Sequence, residues 1–179
     1  MRECDQTEGL TILEHGESVW SYTERILNKD IEGMRIPNWL LDNYDDILSL
    51  LHDRKTIKDY NVFHDCGKPY CLEIDDEGRR HFPNHAEVSQ NTWESFSEDK
   101  TVSSLIGWDM VFHTFTADDI KALDLSTKDA LTLLITALAE VHSNASMFGG
   151  VESISFKSKW KKIDRRGKAL IKQVFRKPT

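Results

Sequence analysis

The sequence predicts an all-α fold organised as one main domain, and three observations carry that expectation. Helix-forming residues are plentiful, while only 9 Gly and 4 Pro occur among 179 residues,. Apolar side chains recur three and four positions apart along most of the chain, the period of an amphipathic helix. Hydrophobic content of 39% beside 30% charged residues suits a chain that buries a core and faces water,. No apolar run reaches the ~18 residues that a membrane-spanning helix needs. The polar start, Met1-Arg2-Glu3-Cys4-Asp5, lacks the apolar core of a signal peptide. With 3 cysteines in unrelated contexts, the chain reads as reduced and cytoplasmic, with no membrane partner.

The first helix is expected over residues 10–28, where Leu10, Leu13, Val19, Tyr22, Ile26 and Leu27 form one face. His15 shares that face with Val19 and Tyr22 and so points inward. Pro37 opens a second helix, carried through Trp39, Leu40, Leu41, Tyr44, Ile47, Leu48 and Leu51. His52-Asp53 follows, but it continues into Arg54-Lys55 as a charged turn without an apolar lead-in, and it reads as surface. A short helix from Ile57 then delivers Val62-Phe63-His64-Asp65-Cys66-Gly67-Lys68-Pro69. Neighbouring side chains on a helix diverge, so His64 and Asp65 face one site only at a helix end, and Gly67 and Pro69 supply that end. An imidazole beside a carboxylate suits a divalent metal.

Residues 70–82 carry Asp75-Asp76-Glu77-Gly78 between two short alternating arms, the pattern of a β-hairpin or a long irregular loop. Pro83-Asn84 leads into a helix from about His85, which leaves His81 and His85 on either side of a loop-to-helix entry. Residues 101–114 predict one helix with Leu105, Ile106, Trp108, Val111 and Phe112. On it Asp109 and His113, four apart, would share a face. An Asp among apolar neighbours requires a metal or a basic partner. Thr116-Ala117-Asp118-Asp119 and Ser126-Thr127-Lys128-Asp129 are N-terminal caps. The second opens a long apolar helix through Leu131, Leu134, Leu138, Val141 and His142, and Asn144 to Gly150 end it in a glycine-rich turn. From Val151 onward Ile154, Phe156 and Trp160 alternate with polar residues as in an extended segment, and 167–176 predict a short basic amphipathic helix.

Charge is unevenly distributed. Residues 157–177 hold ten Lys/Arg and one acid, Asp164; the rest of the chain holds 13 basic and 29 acidic residues. Residues 157–179 therefore read as a basic C-terminal extension on an acidic body of residues 1–156. The extension would either contact nucleic-acid phosphates, with Phe156 and Trp160 stacking on bases, or dock on the body.

Taken in order, the ligand candidates are His15 on the first helix, the doublet His64-Asp65, His81 and His85 after a loop, and Asp109 on a later helix. This order resembles the HD-domain metal-dependent phosphohydrolase superfamily. The stretch from His64-Asp65-Cys66-Gly67-Lys68-Pro69 through Arg79-Arg80-His81-Phe82 to His85-Ala86-Glu87-Val88 is similar to the HD domains of CCA-adding tRNA nucleotidyltransferases. It is also similar to those fused to polynucleotide kinases. The resemblance covers residues 10–120 and implies an HD-domain helical bundle. It further implies that His15, His64, Asp65 and Asp109 ligate a divalent metal, and that Asp65 holds a second ion with His81 and His85. Lys68 would stabilise charge on a scissile phosphate. The metal, one ion or two, would be Mn, Ni, Mg, Fe or Zn.

Such a centre acidifies bound water and neutralises phosphate oxygens. Lys68, Asp65 and His85 are the catalytic candidates, and Lys68, His113, Asn144 and Lys157 the candidate substrate contacts. His113 has a second reading, as a partner of the Asp109 carboxylate. The expected activity is hydrolysis of a nucleotide or nucleic-acid-end phosphoester, with a 2′,3′-cyclic phosphodiester or a phosphomonoester favoured. The alternative is a non-catalytic nucleotide or nucleic-acid binder with an inert metal site and a basic tail.

Overall fold

The computed structural model describes residues 1–7 and 9–175. Residues 176–179, which end the predicted basic extension and include the last residue of the predicted 167–176 helix, lie outside the described residues. The protein is mostly helical, with two short antiparallel strand pairs. No helix among the described residues is long and apolar enough to cross a membrane.

Packing divides the chain into two units. Of the described residues, the first comprises those within 1–20 and 53–109; the second comprises those within 21–52 and 110–175.

The first unit begins with strands β1 (Asp5–Thr7) and β2 (Leu10–Thr11), an antiparallel pair the sequence reading did not anticipate. Helix α1 (Ile12–Leu27) follows, its residues up to Trp20 belonging to this unit. A reciprocal cap starts it: the Thr11 backbone N–H donates to Glu14 at 2.8 Å and the Glu14 backbone N–H donates to the Thr11 hydroxyl at 3.2 Å,. The cap sets the helical phase one residue before His15. The remaining elements of this unit come from residues 53–109, and α4 belongs to it. It runs over Arg54–Phe63, three residues longer at its start than expected, because the Asp53 carboxylate caps it by accepting from the Lys55 and Thr56 backbone N–H groups,. The hairpin alternative for residues 70–82 is the one adopted, with β3 (Glu73–Ile74) pairing antiparallel to β4 (Arg80–His81). Asn84 at φ 52° then reverses the chain into α5 (His85–Glu94); the left-handed region is one that Asn tolerates better than most residues,. Helix α6 (Lys100–Gly107) packs on both α4 and α5.

The expected helix over 101–114 is corrected: α6 stops at Gly107, and α7 covers only Val111–Thr114. Asp109 lies in the turn between them, so it does not share a helical face with His113.

The second unit contains the remainder of α1, then α2 (Asn38–Leu41) and α3 (Tyr44–Ser49), followed later by α7, α8 (Ala117–Lys121), α9 (Thr127–Ser143) and α10 (Ile154–Val174). The single helix expected from Pro37 to Leu51 is thus broken in two. The Asn43 side-chain amide donates to the Trp39 carbonyl at 2.9 Å, satisfying a group that a continuing helix would have bonded,. Both predicted caps form: Thr116 and Asp119 bond reciprocally at α8, and Ser126 accepts from the Asp129 N–H at α9. Helix α9 is buried along nearly its whole length, as its apolar run requires,.

The extended segment expected from Val151 is corrected: the chain is helical from Ile154 and runs on into the helix expected from residue 167. Phe156, Ile163, Gly167, Leu170 and Ile171 are buried along one stripe of α10, a helical rather than an alternating spacing, and the helix packs against α2, α7, α8 and α9. Residues 157–175 are therefore an integral packing element of this unit. Trp160 donates its indole N–H to the Arg35 carbonyl at 2.6 Å, and the Arg35 guanidinium lies 4.9 Å from the ring centroid, so this ring already has a stacking partner.

His142 is structural in geometry. Its Nδ1 bonds the Leu138 carbonyl at 2.8 Å and its Nε2 accepts the Arg35 backbone N–H at 3.0 Å, so the ring is neutral and buried. Burial pushes its pKa below the ordinary value, and Arg25 adds to that, against the opposing bond to Leu138. The unfolded chain takes up this proton from about pH 6.5 downward while the folded chain resists it. Its contribution to stability is therefore complete above that pH and declines as the pH falls. Urea unfolding of the wild type is expected to show a lower midpoint at pH 5 than at pH 7, with a smaller difference in His142→Gln. An equal difference in both proteins would exclude His142 as a source.

Candidate metal centre

Within the first unit, three elements bring buried donors together. α1 supplies His15; the end of α4 supplies His64, its C-terminal cap, and Asp65; the 3-10 turn Lys68–Tyr70 supplies Lys68. All four are at most 6% exposed. One ligating atom from each of His15, His64 and Asp65 lies within 4.8 Å of the others. His64 Nε2 is 3.2 Å and His15 Nε2 3.7 Å from Asp65 Oδ2. The Lys68 ammonium donates to the same oxygen at 2.6 Å and to the Gln6 side-chain oxygen at 3.0 Å.

The orientation of the rings follows from their outer nitrogens. His64 Nδ1 lies 2.8 Å from the Asn61 carbonyl and His85 Nδ1 lies 3.1 Å from the Phe82 carbonyl. A carbonyl only accepts, so each Nδ1 carries a proton, and a neutral ring then presents a lone pair at Nε2. His64 Nε2 faces Asp65 Oδ2, and His85 Nε2 stands 3.8 Å from Asp65 Oδ1. Backbone carbonyls that fix the ring tautomer in this way are the usual supports of metal-ligating histidines.

Asp65 Oδ1 is buried and accepts no hydrogen bond among the described residues. A buried carboxylate oxygen left in this state is costly, and a cation bound between imidazole nitrogens and this carboxylate removes the cost. The donor set, nitrogen and oxygen without sulfur, fits a first-row divalent ion or Mg²⁺. Burial, the largest single influence on Asp65, pushes its pKa up, but His64 and His15, in the protonated form they have without a metal, outweigh it together with Lys68, and the net direction is down. The carboxylate form that a ligand must have is the one favoured.

Asp109 is 4% exposed in the turn after α6. Its Oδ1 accepts the Tyr60 hydroxyl at 2.6 Å, and a ligating atom of His64 lies within 4.8 Å of one of its own. The structure thus assembles His15, His64, Asp65, Lys68 and His85 around one carboxylate, with Asp109 beside His64.

The other candidates have partners of their own. His81 sits on β4, more than half exposed, with its Nε2 2.8 Å from Asp75 Oδ2. The pair expected to hold a second ion beside Asp65 is therefore split, with His85 at Asp65 and His81 at Asp75. In the second unit, His113 Nε2 is 2.9 Å from Glu140 Oε2. Asn144 caps the end of α9. Lys157 bonds Glu152 at 2.7 Å on the surface. The second His-Asp doublet is divided between roles: Asp53 caps α4, and His52 Nε2 bonds Asp129 at 2.7 Å.

Sequence reasoning missed Tyr60, Asn61 and Gln6. Tyr60 stands four residues before His64 on α4, so helical spacing carried a faint signal for it; Gln6 lies 62 positions from Lys68 and left none.

Comparison with protein-family models, curated proteins and solved structures returned no match.

Proposed function

We propose that this chain is an HD-type metal-dependent phosphohydrolase that cleaves a nucleotide or nucleic-acid-end phosphoester, a 2′,3′-cyclic phosphodiester or a phosphomonoester being favoured. What carries the reading is the buried group of His15, His64 and Asp65, together with the second oxygen of that carboxylate, Oδ1, which accepts no hydrogen bond among the described residues. These residues and Asp109 would hold a divalent ion. When bound, such an ion supplies an acidified water and offsets negative charge on a phosphate.

The protein's own groups would do the rest. The Asn61 and Phe82 carbonyls hold the tautomers of His64 and His85. Lys68 places a fixed positive charge at Asp65, where it would stabilise charge growing on phosphate oxygens,. His85, 19% exposed at its side chain and 3.8 Å from Asp65, is the best placed of the histidines to hand a proton to a leaving oxygen,. His81 and His113 are engaged with Asp75 and Glu140.

Elemental mass spectrometry of the purified protein is expected to find one or two divalent ions per chain. Hydrolysis of bis-p-nitrophenyl phosphate should be lost in EDTA and restored by Mn²⁺, Ni²⁺ or Mg²⁺. His64→Ala is expected to lower both metal retention and rate by ~100-fold or more. A metal-free wild type that no added ion activates, or an equally active His64→Ala, overturns the proposal.

A further inference from the structure

The second unit contains a cavity of about 270 Å³ between α7, α9 and α10. Lys159, Lys162 and Arg166 line it from α10, spaced three and four apart so that they share one face,. His113, Glu140 and Asn144 line it from the other two helices. Its single carboxylate, Glu140, lies 2.9 Å from His113, which leaves three cations facing one paired acid.

Beyond the His113–Glu140 pair, two buried atoms in the lining have no hydrogen-bond partner among the described residues. Arg166 is only 5% exposed, and while its Nη1 donates to the Phe112 carbonyl at 2.7 Å, its Nε–H finds no acceptor among the described residues. The Asn144 side-chain oxygen finds no donor. A buried guanidinium left partly unpaired is expensive, and an anion is its natural complement. The Lys159 ammonium lies 4.9 Å from the Phe148 ring centroid, which holds a second cation at the cavity,.

We infer that this cavity is a phosphate-binding pocket, in which Arg166, Lys159 and Lys162 take the terminal oxygens of a small phosphate-bearing molecule and Asn144 accepts from its hydroxyl. The need for a donor at Asn144 separates the ligand classes. A carboxylate or a sulfate offers only acceptors, whereas a phosphate group near neutral pH is partly protonated, its second pKa being about 6. The volume lies just below the ~300 Å³ at which ordinary ligand pockets begin, so a phosphate with a small organic group fits and a polynucleotide does not.

Titration calorimetry with inorganic phosphate at pH 6, in EDTA so that no phosphate is held by an ion, tests it. The wild type is expected to bind phosphate in preference to sulfate. Lys159→Ala/Lys162→Ala removes two exposed side chains that the fold does not need, and it should weaken binding ~10-fold or more. Lys161→Ala/Arg165→Ala removes the same charge from the same helix outside the cavity and should leave binding within ~2-fold of the wild type. Absence of phosphate binding overturns the inference, as does equal affinity for sulfate or equal loss in both double variants.

Discussion

Asp65→Ala is expected to abolish metal retention and hydrolysis and, separately, to lower the stability of the metal-free protein by about 3–5 kcal/mol, the usual cost of leaving one charge of a buried ion pair alone. Lys68 is 6% exposed, and its ammonium rests on Asp65 at 2.6 Å, with the neutral Gln6 oxygen as its other acceptor. Removing the carboxylate strips the ammonium of its counter-charge where water does not replace it. Asp65→Asn keeps an acceptor but not the charge, so it should lose metal equally and stability less. The pKa of Asp65 lies below the ordinary carboxylate range. Its stabilising effect is therefore fully present above the unfolded value of about 3.9 and lost as pH falls through the lower folded value. Urea unfolding at pH 7 in EDTA captures the whole effect. A loss below about 1 kcal/mol in Asp65→Ala would place the pair in the solvated class and remove the case for a dry centre.

Gly67→Ala is expected to destabilise the protein by about 1–3 kcal/mol or more and to depress hydrolysis in the molecules that still fold. Gly67 has φ −85°, which any residue adopts, so the requirement is for space. A Cβ there would lie 2.3 Å from the Ser89 backbone nitrogen and 2.4 Å from the Val88 carbonyl carbon, both on α5. Backbone cannot rotate away as a flexible side chain can, so α5 must shift. That shift breaks the 3.0 Å bond from the Gly67 N–H to the Ser89 hydroxyl and moves His85, which α5 carries. Urea unfolding and steady-state hydrolysis read the two effects. Unchanged stability would show that α5 does not press on the motif. Gly16 repeats the device one helix away, where a Cβ would meet the Val62 carbonyl oxygen at 2.3 Å. Close approach without side chains is what brings α1 and α5 up to the end of α4.

Much of the local structure was legible. The caps at Thr116 and Ser126, the phase of α1, the hairpin arms and the long apolar α9 all follow from side chains acting within a few residues of one another. The readings that failed did so where two local patterns competed. In the tail, alternation over Ile154, Phe156 and Trp160 resembled a strand, but the stripe from Phe156 to Ile171 is helical and has α7, α8 and α9 to bury it. At residues 101–114, good helical periodicity gave way to a turn that presents Asp109 to the Tyr60 hydroxyl.

The identities of the candidate ligands, and the His64-Asp65 doublet at a helix end, were set by the sequence alone, because residue chemistry and helix termination are local properties. Which of those residues meet was decided by tertiary structure. His85 reaches Asp65 while His81, four residues earlier, pairs with Asp75. His113 pairs with Glu140, 27 positions away. Arg166, one basic residue among ten in the tail, is buried against the Phe112 carbonyl. Each outcome depends on how closely separate elements approach, and that distance is set by glycine contacts, buried volume and turn geometry summed over the fold, which no short stretch of sequence contains.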